Sequence, residues 1–229
     1  MEQRSRRPVD RTLDLLTLVC RTPGLSLSEC ARAAEIPISS AQRHLQALEA
    51  SEYVARDREG GYRPGFLLMK LGAASLSQDN LIWVASRYMR DIVSRTGESV
   101  YLAVEGTAQF GLYIHVIEGT HSVRHANWVG RTIPLAESAV GKVLLGEVPL
   151  GEFTMVEGGV EDDVTAIAAP IRRAGAVNAA LNLVVPRYRM TAEKTDRYGS
   201  ALAEAGVQIS CCFEADLPIP SAPVSGEPR

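Results

Sequence analysis

No apolar run in the 229-residue chain nears the roughly 20 residues that a bilayer-crossing helix needs. The start, MEQRSRRPVD, is charged and has no apolar stretch behind it, so no secretory signal is expected and the cytoplasm is the expected location. Cysteine is scarce and poorly spaced for chemistry. The four, Cys20, Cys30, Cys211 and Cys212, form no CxxC pair, and the adjacent Cys211 and Cys212 suit an ordinary disulfide badly; their expected role is as small apolar residues. A strong charge is also missing. The net value of −3 argues, taken whole, against a nucleic-acid partner.

The distribution of charge says otherwise. Residues 1–75 carry 11 Lys+Arg against 9 Asp+Glu, leaving 13 against 18 for the remainder. The basic residues gather at Arg4, Arg6, Arg7 and Arg11 and again at Arg56, Arg58 and Arg63. A hydrophobic content of 46% supplies ample cores, and the length favours two domains.

The most informative stretch is LSLSECARAAEIPISSAQRHLQAL, Leu25 to Leu48. Ser26 with Glu29, and Ser39 with Gln42, each have the form of a capping box that starts a helix. Pro37 bars Ile36 from the helical region, so the first helix must stop near Ala34 or Glu35. In the second, Ala41, Leu45 and Leu48 recur at helical spacing and face inward, which places Ser39, Gln42, Arg43 and Gln46 together on the opposite side. Such a face can enter the major groove, with Arg pairing to guanine, Gln to adenine and Ser to phosphate.

The flanks complete the pattern. Residues 1–7 read as a disordered basic arm, and Val9, Leu13, Leu16 and Cys20 form the stripe of a first helix ended by Thr22, Pro23 and Gly24. Tyr53 to Arg56 and Gly61 to Arg63 are extended pieces joined by a turn, with Arg56, Arg58 and Arg63 suited to phosphate contacts. Helix, helix, helix, hairpin is a winged helix-turn-helix, taken here as residues 8–64. Residues 65–78 form a linker helix too apolar to stay uncovered, at Phe66, Leu67, Met69, Leu71 and Leu76. Asn80 to Thr96 is a long helix closed by Gly97.

Beyond it the periodicity changes to that of strands. Ser99 to Glu105, Gly111 to Ile117 and Ser122 to Val129 read as an antiparallel meander. Ser138 to Leu145 is a short helix, Thr165 to Arg172 and Val177 to Val185 a second strand pair, and Ala192 to Gln208 a closing helix. Residues 79–215 thus form a second domain, and 216–229, rich in Pro, Ser and Gly, a disordered tail.

Other chemistry is poorly supported. His121 and His125 would share a strand face, with His115 nearby, but no third ligand is evident, so no metal or other cofactor is expected. Gly141 and Lys142 resemble the end of a phosphate loop, yet Ala136 stands where Gly is required and Val143 replaces Ser/Thr. The run Glu161, Asp162, Asp163 reads as a solvated loop, and nothing proposes a catalytic residue, so the chain is not read as an enzyme.

The order of four segments, LSLSECARAAEIPISSAQRHLQALEASEYVARD, GYRPG, IPLAESAVGKVLLG and IAAPIRRAGAVNAALNLVVP, resembles the IclR (isocitrate lyase regulator) family of bacterial transcription factors over nearly the whole chain. The resemblance implies an α+β fold: a winged helix-turn-helix joined by a linker helix to a GAF/PAS-like antiparallel sheet domain flanked by helices. It implies a DNA-binding regulator, usually a repressor; on the residues read above, Ser40, Gln42, Arg43 and Gln46 read operator bases, Ser39 anchors a phosphate or caps its helix, and Arg56, Arg58 and Arg63 grip the backbone. The implied partners are double-stranded DNA, a small-molecule effector that alters dimer geometry, and a second copy in a homodimer or dimer of dimers, with no membrane.

Family effector positions carried across the motifs fall at Ala139, Val140, Ala166, Asn182 and Val184. Only Asn182 among them is clearly polar, although Arg131, Glu137, Ser138 and Thr165 lie near in sequence. That lining suits an aromatic or largely apolar ligand better than a small acid. The connection between Gly146 and Ile167 is shorter than in the family, which leaves one pocket wall in doubt. The alternative is therefore a degenerate, ligand-free C-terminal domain used for oligomerisation or protein interaction.

Overall fold

The computed structural model describes residues 7–77, 80–106 and 109–214. The chain divides into two compact units between residues 79 and 80.

In the first unit, α1 (Pro8–Arg21), α2 (Leu27–Ala33) and α3 (Ile38–Ala50) precede a hairpin of β1 (Val54–Arg56) and β2 (Tyr62–Pro64), followed by α4 (Phe66–Ser77). Its core is Leu15 and Val19 of α1, Cys30 of α2, Ala41, Leu45 and Leu48 of α3, and Val54 and Tyr62 of the hairpin. The inward stripe of α1 thus differs from the expected one: Val9, Leu13 and Cys20 are exposed. The four-residue step from Leu15 to Val19 aims at α3, and the polar Thr12 and Asp14 are what obscured it. Arg7 does not belong to a disordered arm. It caps α1, its backbone N–H donating to Asp10 Oδ2 at 3.1 Å. The rest of that arm, and the tail from 215 onward, lie outside the described residues.

The expected box at Ser26 and Glu29 is present, both reciprocal bonds included. The box expected at Ser39 and Gln42 is not. The third helix begins earlier, with Pro37 at the cap position, and the Pro37 carbonyl accepts from the backbone N–H groups of Ser40 and Ala41. Proline's fixed φ is already suited to a helix entry, so Ser39 becomes a first-turn residue rather than a cap. The wing is tied back at Leu25, whose carbonyl accepts from Tyr62 N–H at 2.8 Å.

The second unit opens with α5 (Leu81–Thr96), closed by Gly97 in the left-handed conformation. Six strands follow: β3 (Ser99–Glu105), β4 (Phe110–Ile117), β5 (Thr132–Pro134), β6 (Thr154–Glu157), β7 (Val164–Arg173) and β8 (Ala176–Pro186). They pair antiparallel in the order β5-β4-β3-β8-β7-β6, with α6 (Ala139–Leu144) between β5 and β6 and α7 (Ala192–Glu214) closing the chain. The period of two divides the central strands sharply. Val100, Leu102, Ile167, Ala169, Leu181 and Leu183 face α5 and α7, while Tyr101, Ala103, Ala168, Ala180, Asn182 and Val184 face the α6 side. Both faces are covered, so these strands read as near-continuous apolar runs. Among the described residues no helix is long and apolar enough to cross a membrane.

The strand expected at Ser122 to Val129 does not form. Those residues make an irregular loop, and the third place in the meander, beside β4, is taken by the short β5. Arg124, Ala126 and Asn127 are weak strand formers, and the loop's polar groups bond elsewhere. Gly119 N–H donates to Ser99 Oγ, Gly130 N–H to the Tyr113 carbonyl, and the Tyr101 hydroxyl to the Ala126 carbonyl. His121 and His125 consequently share no strand face. Of the four cysteines only Cys30 is buried; Cys20 and Cys211 are exposed, so the small-apolar role fails for them.

One buried ion pair fastens this loop. Glu98, buried to 2%, accepts from Arg189 Nε at 2.9 Å and Nη2 at 2.8 Å, and the same Nη2 donates to the Val123 carbonyl. Removing the guanidinium leaves the buried carboxylate with only the half-exposed His121 imidazole beside it, at 3.5 Å. Arg189→Met is therefore expected to lower unfolding free energy by about 3 kcal/mol in urea denaturation, whereas Arg95→Ala, which breaks an exposed pair with Asp91, should cost less than about 0.5 kcal/mol.

Candidate functional site

Two surfaces carry the residues singled out in the sequence. The first is the outer face of α3. Ser39, Gln42, Arg43 and Gln46 are exposed and Ser40 is half-buried, while Ala41, His44, Leu45 and Leu48 point inward. Their polar heads stand clear of the domain in one row, held there by the buried stripe behind them. The wing residues separate into two kinds. Arg58 and Arg63 are exposed and project outward. Arg56 folds back: Nη2 donates to the Tyr62 hydroxyl at 2.7 Å, Nε meets Glu49 at 3.4 Å, and the guanidinium lies 4.6 Å over the Tyr62 ring. Its first task is to brace the hairpin against α3.

His44, on the inner face of α3, is a buried polar residue that helical spacing alone does not flag. Its Nδ1 bonds Thr12 Oγ1 at 2.9 Å, and that hydroxyl also donates to the Pro8 carbonyl. Burial holds its pKa below the ordinary value, with Arg43 and Arg11 adding to the effect.

The second surface is a pocket on the α6 face of the sheet. Ala166, Asn182 and Val184 come from the sheet, and Ala139 and Val140 from α6, so all five carried effector positions meet in one place. Asn182 is fully buried, and its Nδ2 donates to the Tyr113 hydroxyl at 2.7 Å. Glu137 and Ser138 also contribute, but Thr165 points to the other face and Arg131 stacks 5.5 Å from the Trp128 ring instead of lining the space. Burial keeps the Tyr101 and Tyr113 hydroxyls protonated, raising both pKa values.

Half of the wall comes from residues that sequence reasoning missed. Tyr113, His125 and Trp128 form an aromatic side: Tyr101 and Tyr113 centroids lie 4.9 Å apart, and His125 packs edge-on to Trp128 at 4.7 Å. His125 Nδ1 meets the Tyr101 hydroxyl at 2.7 Å and Nε2 meets Glu161 at 3.1 Å. Burial pushes His125 below its usual pKa, with Glu161 pulling the other way. The short connection supplies the opposite side. It forms β6 and a loop, and contributes Val156, Val160 and Glu161, so the wall in doubt is present.

Two glycines hold these walls close. A Cβ on Gly141 would lie 1.8 Å from the Leu135 carbonyl oxygen, and one on Gly159 would lie 2.2 Å from that of Glu137. Gly141 of the Gly-Lys pair in α6 is thus a packing contact between helix and chain. The enclosed space is about 30 Å³.

Comparison with known proteins settles the family. The IclR helix-turn-helix domain matches residues 8–58, and the bacterial transcriptional regulator IclR C-terminal domain matches 73–152 and 151–211. The chain belongs to the IclR family. Its two C-terminal matches meet at residues 151–152, inside the connection between α6 and β7. Relatives include the regulator KipR of Bacillus subtilis, 27% identical over 66% of this chain, and KdgR of Escherichia coli, 26% identical over 81%. The match spans 60% of the first relative's length and 84% of the second's. Among solved structures, an IclR homologue of Microbacterium hydrocarbonoxydans complexed with 4-hydroxybenzoate superposes with a TM-score of 0.76 at 22% identity, covering 91% of this chain and all of that one. The Thermotoga maritima IclR gives 0.70 at 24% identity, covering 90% and 98%.

The buried and half-buried imidazoles carry a pH signature. His44, His115 and His125 all have depressed pKa values. Between the depressed values and about 6.5, the unfolded chain binds protons that the folded one does not. Stability is therefore full above about 6.5 and falls as pH drops below it. Denaturation midpoints at pH 7.5 and 5.5 should show that loss, and His44→Gln should reduce it.

Proposed function

We propose that the protein is a sequence-specific DNA-binding repressor whose C-terminal unit senses a small molecule. The observation that carries the reading is the outer row of α3. Four exposed groups, Ser39, Gln42, Arg43 and Gln46, project from a helix whose opposite side is locked into the core. Arg43 pairs with guanine, the glutamines read adenine, Ser40 reads a base edge, and Ser39, Arg58 and Arg63 contact phosphate. Arg56 acts indirectly, by holding the wing in place. Family membership and the repressors among the relatives, such as AllR of Escherichia coli, support repression.

The protein acts as a dimer or dimer of dimers. Phe66 and Met69 on α4 are each about two-thirds exposed, with Leu71 and Leu76 also uncovered, a surface that a second copy buries. The effector occupies the pocket at Ala139, Val140, Ala166, Asn182 and Val184, and by binding one dimer geometry better than another it changes the spacing of the two reading helices. The Microbacterium homologue's complex with 4-hydroxybenzoate supports a small aromatic for this fold. No chemical step is assigned, and the site of action is the cytoplasm.

A second reading rests on the pocket's size. About 30 Å³ holds a water or two, while an aromatic ring takes a cavity of about 150 Å³. Either the walls part on binding, at the loop carrying Val160 and Glu161, or the domain serves only assembly.

The test of DNA reading is a salt series on a fragment from upstream of the protein's own gene. Wild-type binding should survive competitor DNA and weaken as salt rises, and Arg43→Ala should lose about tenfold or more in specific affinity. Equal, weak binding by both proteins would sink the proposal for that site.

A further inference from the structure

The pocket face holds a buried polar atom with no partner, Asn182 Oδ1. Asn182 is fully buried in the middle of β8, and its Nδ2 is already committed to the Tyr113 hydroxyl. A buried amide oxygen without a donor is destabilising, and a fold keeps one at small cost only where something else supplies the hydrogen. Ala139, Ala166 and Val184 line the same pocket, and none of them can donate from its side chain.

The charges around it have one sign. The lining includes Glu137 and Glu161 and no Lys or Arg. The Arg131 guanidinium is engaged on the Trp128 ring, and Arg124 is paired with Glu118 at 3.1 Å. His125, which could have offered a positive charge, has both ring nitrogens committed, Nδ1 to the Tyr101 hydroxyl at 2.7 Å and Nε2 to Glu161 at 3.1 Å. A carboxylate entering here would lose its water, meet no uncommitted cation, and approach Glu161. An aromatic ring, by contrast, finds the faces and edges of Tyr113 and Trp128, whose centroids lie 6.3 Å apart.

We propose that this pocket takes an uncharged aromatic ligand bearing an N–H or O–H donor, of the aryl carboxamide or phenol class, and discriminates against aromatic carboxylates. Asn182 Oδ1 receives the donor, Tyr113 and Trp128 hold the ring, and Glu161 sets the charge preference. The proposal rests on the reading of this pocket as the effector site.

The experiment compares benzamide with benzoate, which share a ring and differ in charge and donor. Each is titrated against the full-length protein by ligand-observed NMR, with Asn182→Leu, Glu161→Gln and Ala166→Phe alongside and their folding checked by circular dichroism. Benzamide is expected to bind at least about tenfold tighter than benzoate. Asn182→Leu should weaken benzamide by about tenfold, Glu161→Gln should narrow the preference for the amide, and Ala166→Phe, which fills the space, should abolish binding. Should Asn182→Leu not fold, the narrowing in Glu161→Gln decides the charge claim. Benzoate binding as tightly as benzamide, with both lost in Ala166→Phe, would overturn the ligand class and leave the effector pocket standing. Binding of neither probe, or binding indifferent to Ala166→Phe, would overturn both.

Discussion

The C-terminal unit depends on the fact that its central strands are apolar on both faces. β3, β7 and β8 cannot leave either side to water, so each face must be covered, and the two covers are of different kinds. On one side α5 and α7 lie flat against Ile167, Ala169, Leu181 and Leu183 and fill the space with side chains. On the other there is only the six-residue α6, with loops to either side, so that face is closed by walls rather than by a slab. The pocket is what remains between walls that meet imperfectly. Gly141 and Gly159 set how near they come.

The same asymmetry explains why the polar groups lie where they do. Asn182 sits at the centre of the face that helices do not seal, hydrogen-bonded to Tyr113, while the residues on its other side in β8 are all aliphatic. The loop over the pocket is held at one end by Glu98 and Arg189 and in the middle by Tyr101, so His125 and Trp128 are pinned as part of the wall. The N-terminal unit obeys a simpler rule. One side of α3 is committed to the core through Ala41, Leu45 and Leu48, and everything opposite is free to meet a partner.

What could be read from the sequence follows from which interactions are local. Periodicity located α5, α6 and the pair β7 and β8, because a buried face repeats at a fixed interval along the chain. Gly97 ended its helix as expected, since a left-handed residue after a helical run is a local event. The five carried pocket positions came together because they sit on those regular elements. The errors lie where long-range contacts decide. Val123 and Trp128 suggested a strand at 122–129, but that segment is held by Tyr101 and Arg189, whose bonds to it span 24 to 66 positions in sequence. Pro37 rather than Ser39 opens α3, a choice between two plausible starts that only the helix's docking resolves. Arg56 differs from its neighbours Arg58 and Arg63 in lying over the ring of Tyr62, a contact that the sequence does not reveal.

The central claim is that the outer row of α3 reads bases. Selection of bound fragments from a random DNA pool, sequenced for the wild type and for Arg43→Ala, tests it with no operator sequence needed at the outset. The account predicts a two-fold symmetric motif for the wild type, with a guanine position in each half-site that loses its preference in the variant while the rest of the motif persists. Enrichment of no motif, or of an identical motif by both proteins, would contradict it.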